Sequence, residues 1–391
     1  MASSVPLPSR VGAGERTTTS VRAPAIPWYL WCAVFSATSA MVGAHWDISW
    51  HRTIGRDTFL TPAHIAIYLC GVLAGVSCAY LILSRTFGKG KDQATVRMWG
   101  FRAPLGAFFA AWGGVAMLTS APFDDWWHSA YGLDVKIVSP PHVLLIFGTG
   151  MVMVGALLLT LGQMNRADGE RKNRLNAIFL YLGSMLVVLL MIFLMEFTGR
   201  VQMHTAAFYS RLSVALPMVL AGVARASRLR WAASITAGIY MLFLIACVWI
   251  LPLFPAEPKL GPVYIPVTHF VPPEFPILLI APALLLDLLW QRTESWNKWL
   301  LAAVSGLLFL GLFVAVQWPF ANFLMSPAAR NWVIGSHYYG YATHPNSYSF
   351  RNVFVPTERD FLAGMATAAL FAVLSMRAGL GWGDWMRKIQ R

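Results

Sequence analysis

The chain has 391 residues, 57% of them hydrophobic and 12% charged, with a mean hydropathy of +0.57. A soluble domain carries about 25% charged residues, so an ordinary water-soluble globule is excluded. The net charge of +13 would suggest nucleic acid in a soluble protein. Here the cations sit in short connections and tails between apolar runs, where they orient a chain in a membrane; the lipid bilayer is the expected partner and no nucleic acid is.

Residues 1–24 are rich in Ser, Thr, Gly and Arg. They read as a disordered tail on the cytoplasmic side, too long and polar before the first apolar stretch for a signal peptide. Ten apolar runs follow, approximately 26–46, 62–84, 103–121, 140–163, 175–197, 207–224, 231–254, 274–290, 298–318 and 360–380. Each is long enough to be taken as a membrane crossing. The expected fold is an all-α, polytopic transmembrane bundle of about ten spans. It divides into a four-helix unit over 25–163 and six further helices over 164–391.

The connections sort by charge. Arg85, Lys89, Lys91, Arg97 and Arg102 fall in one, Arg166, Arg171, Lys172 and Arg174 in the next. Arg225, Arg228 and Arg230, then Arg292 and Lys298, then Arg387, Lys388 and Arg391 continue the set, with Arg10, Arg16 and Arg22 in the N-terminal tail. Lys and Arg resist translocation, which puts both termini on the cytoplasmic side, as in a bacterial inner membrane. The other connections, near 47–61, 122–139, 198–206, 255–273 and 319–359, then face the periplasm. All nine histidines (His45, His51, His64, His128, His142, His204, His269, His337 and His344) lie in them or within a turn or so.

The strongest signal is an internal repeat. WDISWHRTIGRDTFLTPAH runs from Trp46 to His64, and FDDWWHSAYGLDVKIVSPPH from Phe123 to His142, with one inserted residue. Asp47 and His51 are four apart, as are Asp124 and His128, so each pair shares a helix face. Gly55 and Gly132 suit helix terminators. Thr61-Pro62 and Ser139-Pro140 suit an N-cap followed by proline in the first turn. A helical hairpin then returns His64 and His142 to the carboxylates. One carboxylate and two imidazoles form a facial set with open positions, suiting iron, copper or zinc better than calcium or magnesium. Asp57 and Asp134 are expected to orient an imidazole from behind, and Trp50 and Trp127 to wall the sites. Asp125 is an alternative to Asp124, but only Asp124 keeps the register of the first copy. The bland reading is a duplicated hairpin with structural carboxylate–imidazole hydrogen bonds at a membrane interface.

Over residues 25–160 these motifs resemble the C subunit of the copper membrane monooxygenases, the particulate methane and ammonia monooxygenase family. That family has an Asp-x3-His-x12-His set and an adjacent Asn-x3-His-x13-His set. Asp47, His51 and His64 have the first spacing; Asp124, His128 and His142 have the second, with Asp in place of Asn. The resemblance implies copper at both sets, dioxygen-dependent oxidation of a small substrate, and further membrane subunits; a homo-oligomer is the alternative assembly. The six helices after the second set exceed what the subunit would need. A competing function is non-enzymatic binding, delivery or transport of copper or another metal. A haem protein fits less well, because a carboxylate accompanies each histidine pair.

The remainder carries weaker signals. Cys32, Cys70, Cys78 and Cys247 form no C-x-x-C pair and read as small buried thiols. Met151, Met153, Met185, Met191 and Met195 read as core packing rather than a thioether ladder. Glu196, His204, His269, Glu274, His337 and His344 are expected at the outer interface, and Asp287 is expected to pair with Arg292 or Lys298. No phosphate loop, Ser-His-Asp signature or H-E-x-x-H motif occurs in the chain.

Overall fold

The computed structural model describes residues 25–88, 94–132, 139–293 and 295–390. The N-terminal tail, part of the first cationic loop and Asp134 lie outside the described residues. The fold is an all-α bundle. Its helices are α1 (Trp28–Thr53), α2 (Pro62–Phe87), α3 (Leu105–Tyr131), α4 (Pro140–Met164), α5 (Gly169–Leu194), α6 (Ala206–Ser227), α7 (Ala232–Ile250), α8 (Ile280–Trp290), α9 (Lys298–Met325), α10 (Tyr348–Arg351) and α11 (Phe361–Met386). The described strands are one short antiparallel ribbon, Val96–Met98 with Phe101–Ala103, inside the first cationic loop.

Eight helices, α2 to α7, α9 and α11, are long and apolar enough to cross a membrane. Large apolar side chains on their outer faces stay exposed, among them Val76, Leu242, Leu307 and Leu362. Such a surface is stable against lipid rather than water. Two expected crossings differ. Helix α1 has 26 residues, enough by length, but carries Asp47, His51 and Arg52 in its last two turns. The crossing expected at 274–290 is helical only from Ile280. Pro272, Pro273 and Pro276 explain this, because proline lacks the amide donor and biases its predecessor away from the helix. The freed backbone finds a side-chain partner: Leu278 donates to Oε1 of the buried Gln317 at 2.9 Å.

Antiparallel pairing of α1 with α2 and of α3 with α4 brings the repeat motifs together. In the second hairpin the helices approach through glycine. A Cβ on Gly113 would meet the Gly148 carbonyl at 2.6 Å, and one on Gly148 would meet the Gly113 carbonyl at 2.9 Å. Small residues let backbones pack closely where lipid gives no hydrophobic drive for helices to associate. Gly150, in the same helix, has no atom within 4 Å of its Cβ position.

Asp287 does not pair with Arg292 or Lys298 as the sequence suggests. It is buried and caps the start of α7, accepting from Ser234 N at 2.8 Å, Ser234 Oγ at 2.7 Å and Ala233 N at 3.2 Å. The first turn of a helix leaves amides unsatisfied, and a carboxylate from α8 answers them. Lys298 pairs instead with Asp384, at 2.6 Å.

The glycine contacts make a paired test. Gly148→Ala should destabilise the protein by about 1–3 kcal/mol through overpacking, whereas Gly150→Ala should be neutral or stabilising by up to about 1 kcal/mol from helix propensity. Thermal unfolding of the two variants in detergent reads the difference.

Candidate metal centre

Each half of the first motif is placed by a local device. Helix α1 ends at Ile54, and Gly55 follows at φ +82°. That left-handed conformation is cheap only for glycine. A Cβ there would also meet the Tyr341 hydroxyl at under 2.5 Å. The Trp50 indole donates to the Arg56 carbonyl at 2.8 Å, folding the turn back onto the helix. Thr61 precedes Pro62 at the start of α2, and its Oγ1 accepts from Thr58 N at 2.8 Å. The second motif repeats this: α3 ends at Gly132, φ +88°, and Ser139 precedes Pro140 at the start of α4.

The hairpins bring the side chains together as their spacing demands. His64 Nε2 lies 3.1 Å from Asp47 Oδ1, and His51 Nε2 lies 3.8 Å from Asp47 Oδ2. In the second copy, Asp124 Oδ2 is 3.4 Å from His128 Nε2, and Asp124 Oδ1 is 3.5 Å from His142 Nε2. Two donor atoms each about 2.0–2.2 Å from one ion, at roughly 90–110°, stand about 3.0–3.5 Å apart. Asp47 with His64, and Asp124 with His128 and His142, therefore have the separations of ligands sharing a centre, while His51, 3.8 Å from Asp47, stands just beyond that range.

The orientation of the groups agrees. Oδ1 of Asp47 and Oδ1 of Asp124 are both buried without a hydrogen-bond partner. The nearest imidazole nitrogens are His64 Nε2 at 3.1 Å and His142 Nε2 at 3.5 Å. Unmade hydrogen bonds to buried oxygens are costly, and the same orphan at the equivalent atom of both copies fits a cation between carboxylate and imidazole. On its far side the His64 ring donates from Nδ1 to the Thr58 carbonyl at 3.0 Å, which turns Nε2 inward. In the other hairpin it is His128, on the outgoing helix, whose Nδ1 contacts a carbonyl, that of Gly132 at 3.3 Å. This is how histidine ligands are commonly oriented.

Asp57 departs from its expected place. Its Oδ2 lies 3.4 Å from His51 Nε2 and 3.2 Å from His64 Nε2, on the inner side of both rings. It joins the cluster as a donor group, and Asp47, Asp57 and His64 converge closely enough to share an ion. Burial alone would raise the Asp57 carboxyl, but hydrogen bonds to His51 and His64 outweigh it and hold the group well below the usual carboxylate range. The missed signal was the Gly-x-Asp spacing after the helix end, which returns the carboxylate one turn later. Asp124 is met by both imidazoles as expected, while Asp125 is exposed. Trp50 does more than wall the site, since it ties the turn carrying Asp57. Trp127 packs on Tyr131, with ring centroids 4.5 Å apart.

The clusters also open on a common cleft of about 90 Å3. Asp57, His64 and Tyr68 line it from one hairpin, Asp124, Asp125 and His128 from the other. No family model, curated protein or solved structure matches this chain. The reading of the site rests on its own geometry.

The other histidines take structural roles. His204 is stacked between Trp318 and Phe354, at 4.1 and 3.7 Å between centroids. His269 contacts the Thr268 hydroxyl, and His344 Nδ1 accepts from Asn346 N. His45 is buried, with Nδ1 donating to the Met41 carbonyl at 2.9 Å. The thiols of Cys32, Cys70, Cys78 and Cys247 are all free.

Because its folded carboxyl is depressed, Asp57 contributes stability that is present above the ordinary value of 3.8 and lost as pH falls below it. In metal-free protein, Asp57→Asn should therefore unfold at a lower temperature than wild type near pH 6. The gap should narrow steadily as pH is lowered through 3.8. A gap that stays constant down to pH 3 would contradict the pairing.

Proposed function

We propose that this is a polytopic membrane metalloprotein whose two Asp/His/His clusters hold copper, with iron or zinc as the alternatives. In this reading α1 and the broken segment ending in α8 complete ten crossings. The cationic connections hold both termini in the cytoplasm, and the clusters face the periplasm of a bacterial inner membrane. The observation that carries the proposal is the buried Oδ1 atom at the equivalent position of each motif, with no well-formed hydrogen bond and facing the histidine of the returning helix, His64 at 3.1 Å and His142 at 3.5 Å.

The activity this arrangement suits is dioxygen-dependent oxidation of a small substrate, in the manner of the copper membrane monooxygenases. Bound copper would supply one-electron chemistry and an open position for dioxygen. The chain's residues do the rest. Asp47 and Asp57 offset cationic charge at the first cluster, and Asp124 does so at the second. The Thr58 and Gly132 carbonyls hold ring tautomers that present Nε2 inward. Tyr68 and Phe59 narrow the shared cleft, which admits only a small apolar or ammonia-like molecule. Further membrane subunits or a second copy would cover the remaining apolar surface.

One observation favours the second reading, metal binding and delivery without catalysis. The His51 side chain is 38% exposed, so a metal at the first cluster would be within reach of a soluble donor or acceptor.

Metal analysis of detergent-purified protein tests the proposal. Wild type should hold two copper ions per chain. Asp47→Ala and His64→Ala should each lose one, and Asp124→Ala and His142→Ala the other. Binding should release protons from the imidazoles and therefore weaken on acidification. Full occupancy in all four variants would refute the ligand assignment. Oxygen uptake with a reductant, lost in the same variants, separates oxidation from delivery.

A further inference from the structure

The unwound stretch before α8 borders a second cavity, distinct from the metal clusters. It has a volume of about 200 Å3 and lies between α1, the end of α5, α7 and residues 273–277. On α1 it is lined by His45, Ile48 and Arg52, about a third of a turn round the helix from Asp47 and His51. Irregular backbone at membrane depth is stable only where protein buries it or where it borders a polar cavity. Transporters use such breaks to bind ligands.

The charge of this cavity is unbalanced. Arg52 lines it, and Arg200 lines a narrow crevice continuous with it through Arg52, Pro273, Glu274 and Phe275. Arg52 donates to the Pro272 carbonyl at 2.8 Å, and Arg200 to the Ser336 carbonyl at 2.6 Å. The ion pairs among the described residues include neither guanidinium. Glu274 is occupied by the backbone amide of Arg200, at 2.6 Å. Arg200 is 4% exposed and its Nε has no partner. Tyr240 is fully buried in the cavity wall, where its hydroxyl oxygen faces the Ile277 amide and its proton has no acceptor among the described residues. Arg52 in the cavity and Arg200 in the adjoining crevice are matched by one carboxylate, Glu274, which leaves the site net positive. Such a site is costly unless an anion completes it.

We propose that this cavity binds a small organic carboxylate. The carboxylate is held by Arg52 with the Tyr240 hydroxyl donating to it, and the short apolar tail lies against Ile48, Met191, Leu244 and Ile277. Arginine matches a carboxylate with two parallel donors, and the mostly aliphatic wall rejects a fully hydrated inorganic ion. The volume equals that of roughly six or seven waters, so the ligand has fewer than about ten non-hydrogen atoms. The proposal stands independently of metal at the clusters.

The test is calorimetric titration and thermal shift of the full-length protein in detergent with acetate, propionate, butyrate, hexanoate, benzoate and oleate. Sodium chloride and nitrate at equal ionic strength are the controls. Saturable binding by members of the three-to-seven-carbon range, with raised unfolding temperature, is expected. Arg52→Gln should weaken it at least about tenfold, as for loss of a buried charge partner, and Tyr240→Phe should weaken it by a few-fold. Should Arg52→Gln fail to fold, Ile48→Trp, which fills the cavity and leaves every charge in place, decides the matter by abolishing binding. Binding unchanged in Ile48→Trp, an equal response to chloride, or affinity that rises without limit to oleate would overturn the proposal. The last result would identify a lipid-derived chain instead.

Discussion

The last carbonyls of α1 need partners, and the way they find them organises this end of the bundle. A helix end leaves its final C=O groups unsatisfied, and water cannot supply them all where the surface is covered. The Arg52 carbonyl accepts from Tyr341 N at 3.0 Å, and the Ile54 carbonyl from Lys259 N at 2.9 Å. Thr53 Oγ1 accepts from Val271 N at 2.8 Å, and Ser49 Oγ donates to the Val271 carbonyl at 2.7 Å. Both long connections of the C-terminal half, around 255–279 and 326–360, are thus fastened to the helix end that presents Asp47 and His51. The chain after α4 is not an appendage to the hairpins; its connections hold the first of them in position.

This unequal support makes the two copies of the motif different sites. The first is clamped from outside, has its turn tied by Trp50, and gathers two carboxylates around two imidazoles. The second depends on the close glycine-mediated approach of α3 and α4 and, among the described residues, gathers one carboxylate. Among the described residues, the first cluster therefore carries more negative charge than the second. Their meeting in a single cleft, beside Tyr68, couples two sites of unequal electrostatics across one small volume.

The segment leading into α8 shows the same economy of backbone hydrogen bonds from the opposite direction. Three prolines unwind residues that would otherwise continue α8, and Gln317 on α9 answers one amide they leave. Gln317 is itself buried, and its other end contacts the Met203 sulfur. The unwound chain brings Glu274 against the Arg200 amide and sets Arg52 in the lining of the adjoining cavity. Helix termination by proline thereby creates polar volume inside an otherwise apolar bundle.

Sequence by itself determined the helical bundle, eight of its long apolar helices and the register of the paired motifs. Apolar length, the four-residue Asp–His spacing and the Gly and Pro punctuation are local properties that survive without knowledge of neighbours. The positive-φ glycines at 55 and 132 and the prolines opening α2 and α4 stand where that punctuation places them. Tertiary structure alone decided which side of the imidazoles Asp57 occupies, that Asp287 caps α7, and that the clusters share a cleft. It also decided that an apolar run at 274–290 is only half a helix, since hydropathy does not register the alternative partner that Gln317 offers. Each of these depends on a donor or acceptor supplied from far along the chain. A carboxylate's role follows from what reaches it, and the sequence around it does not contain that information.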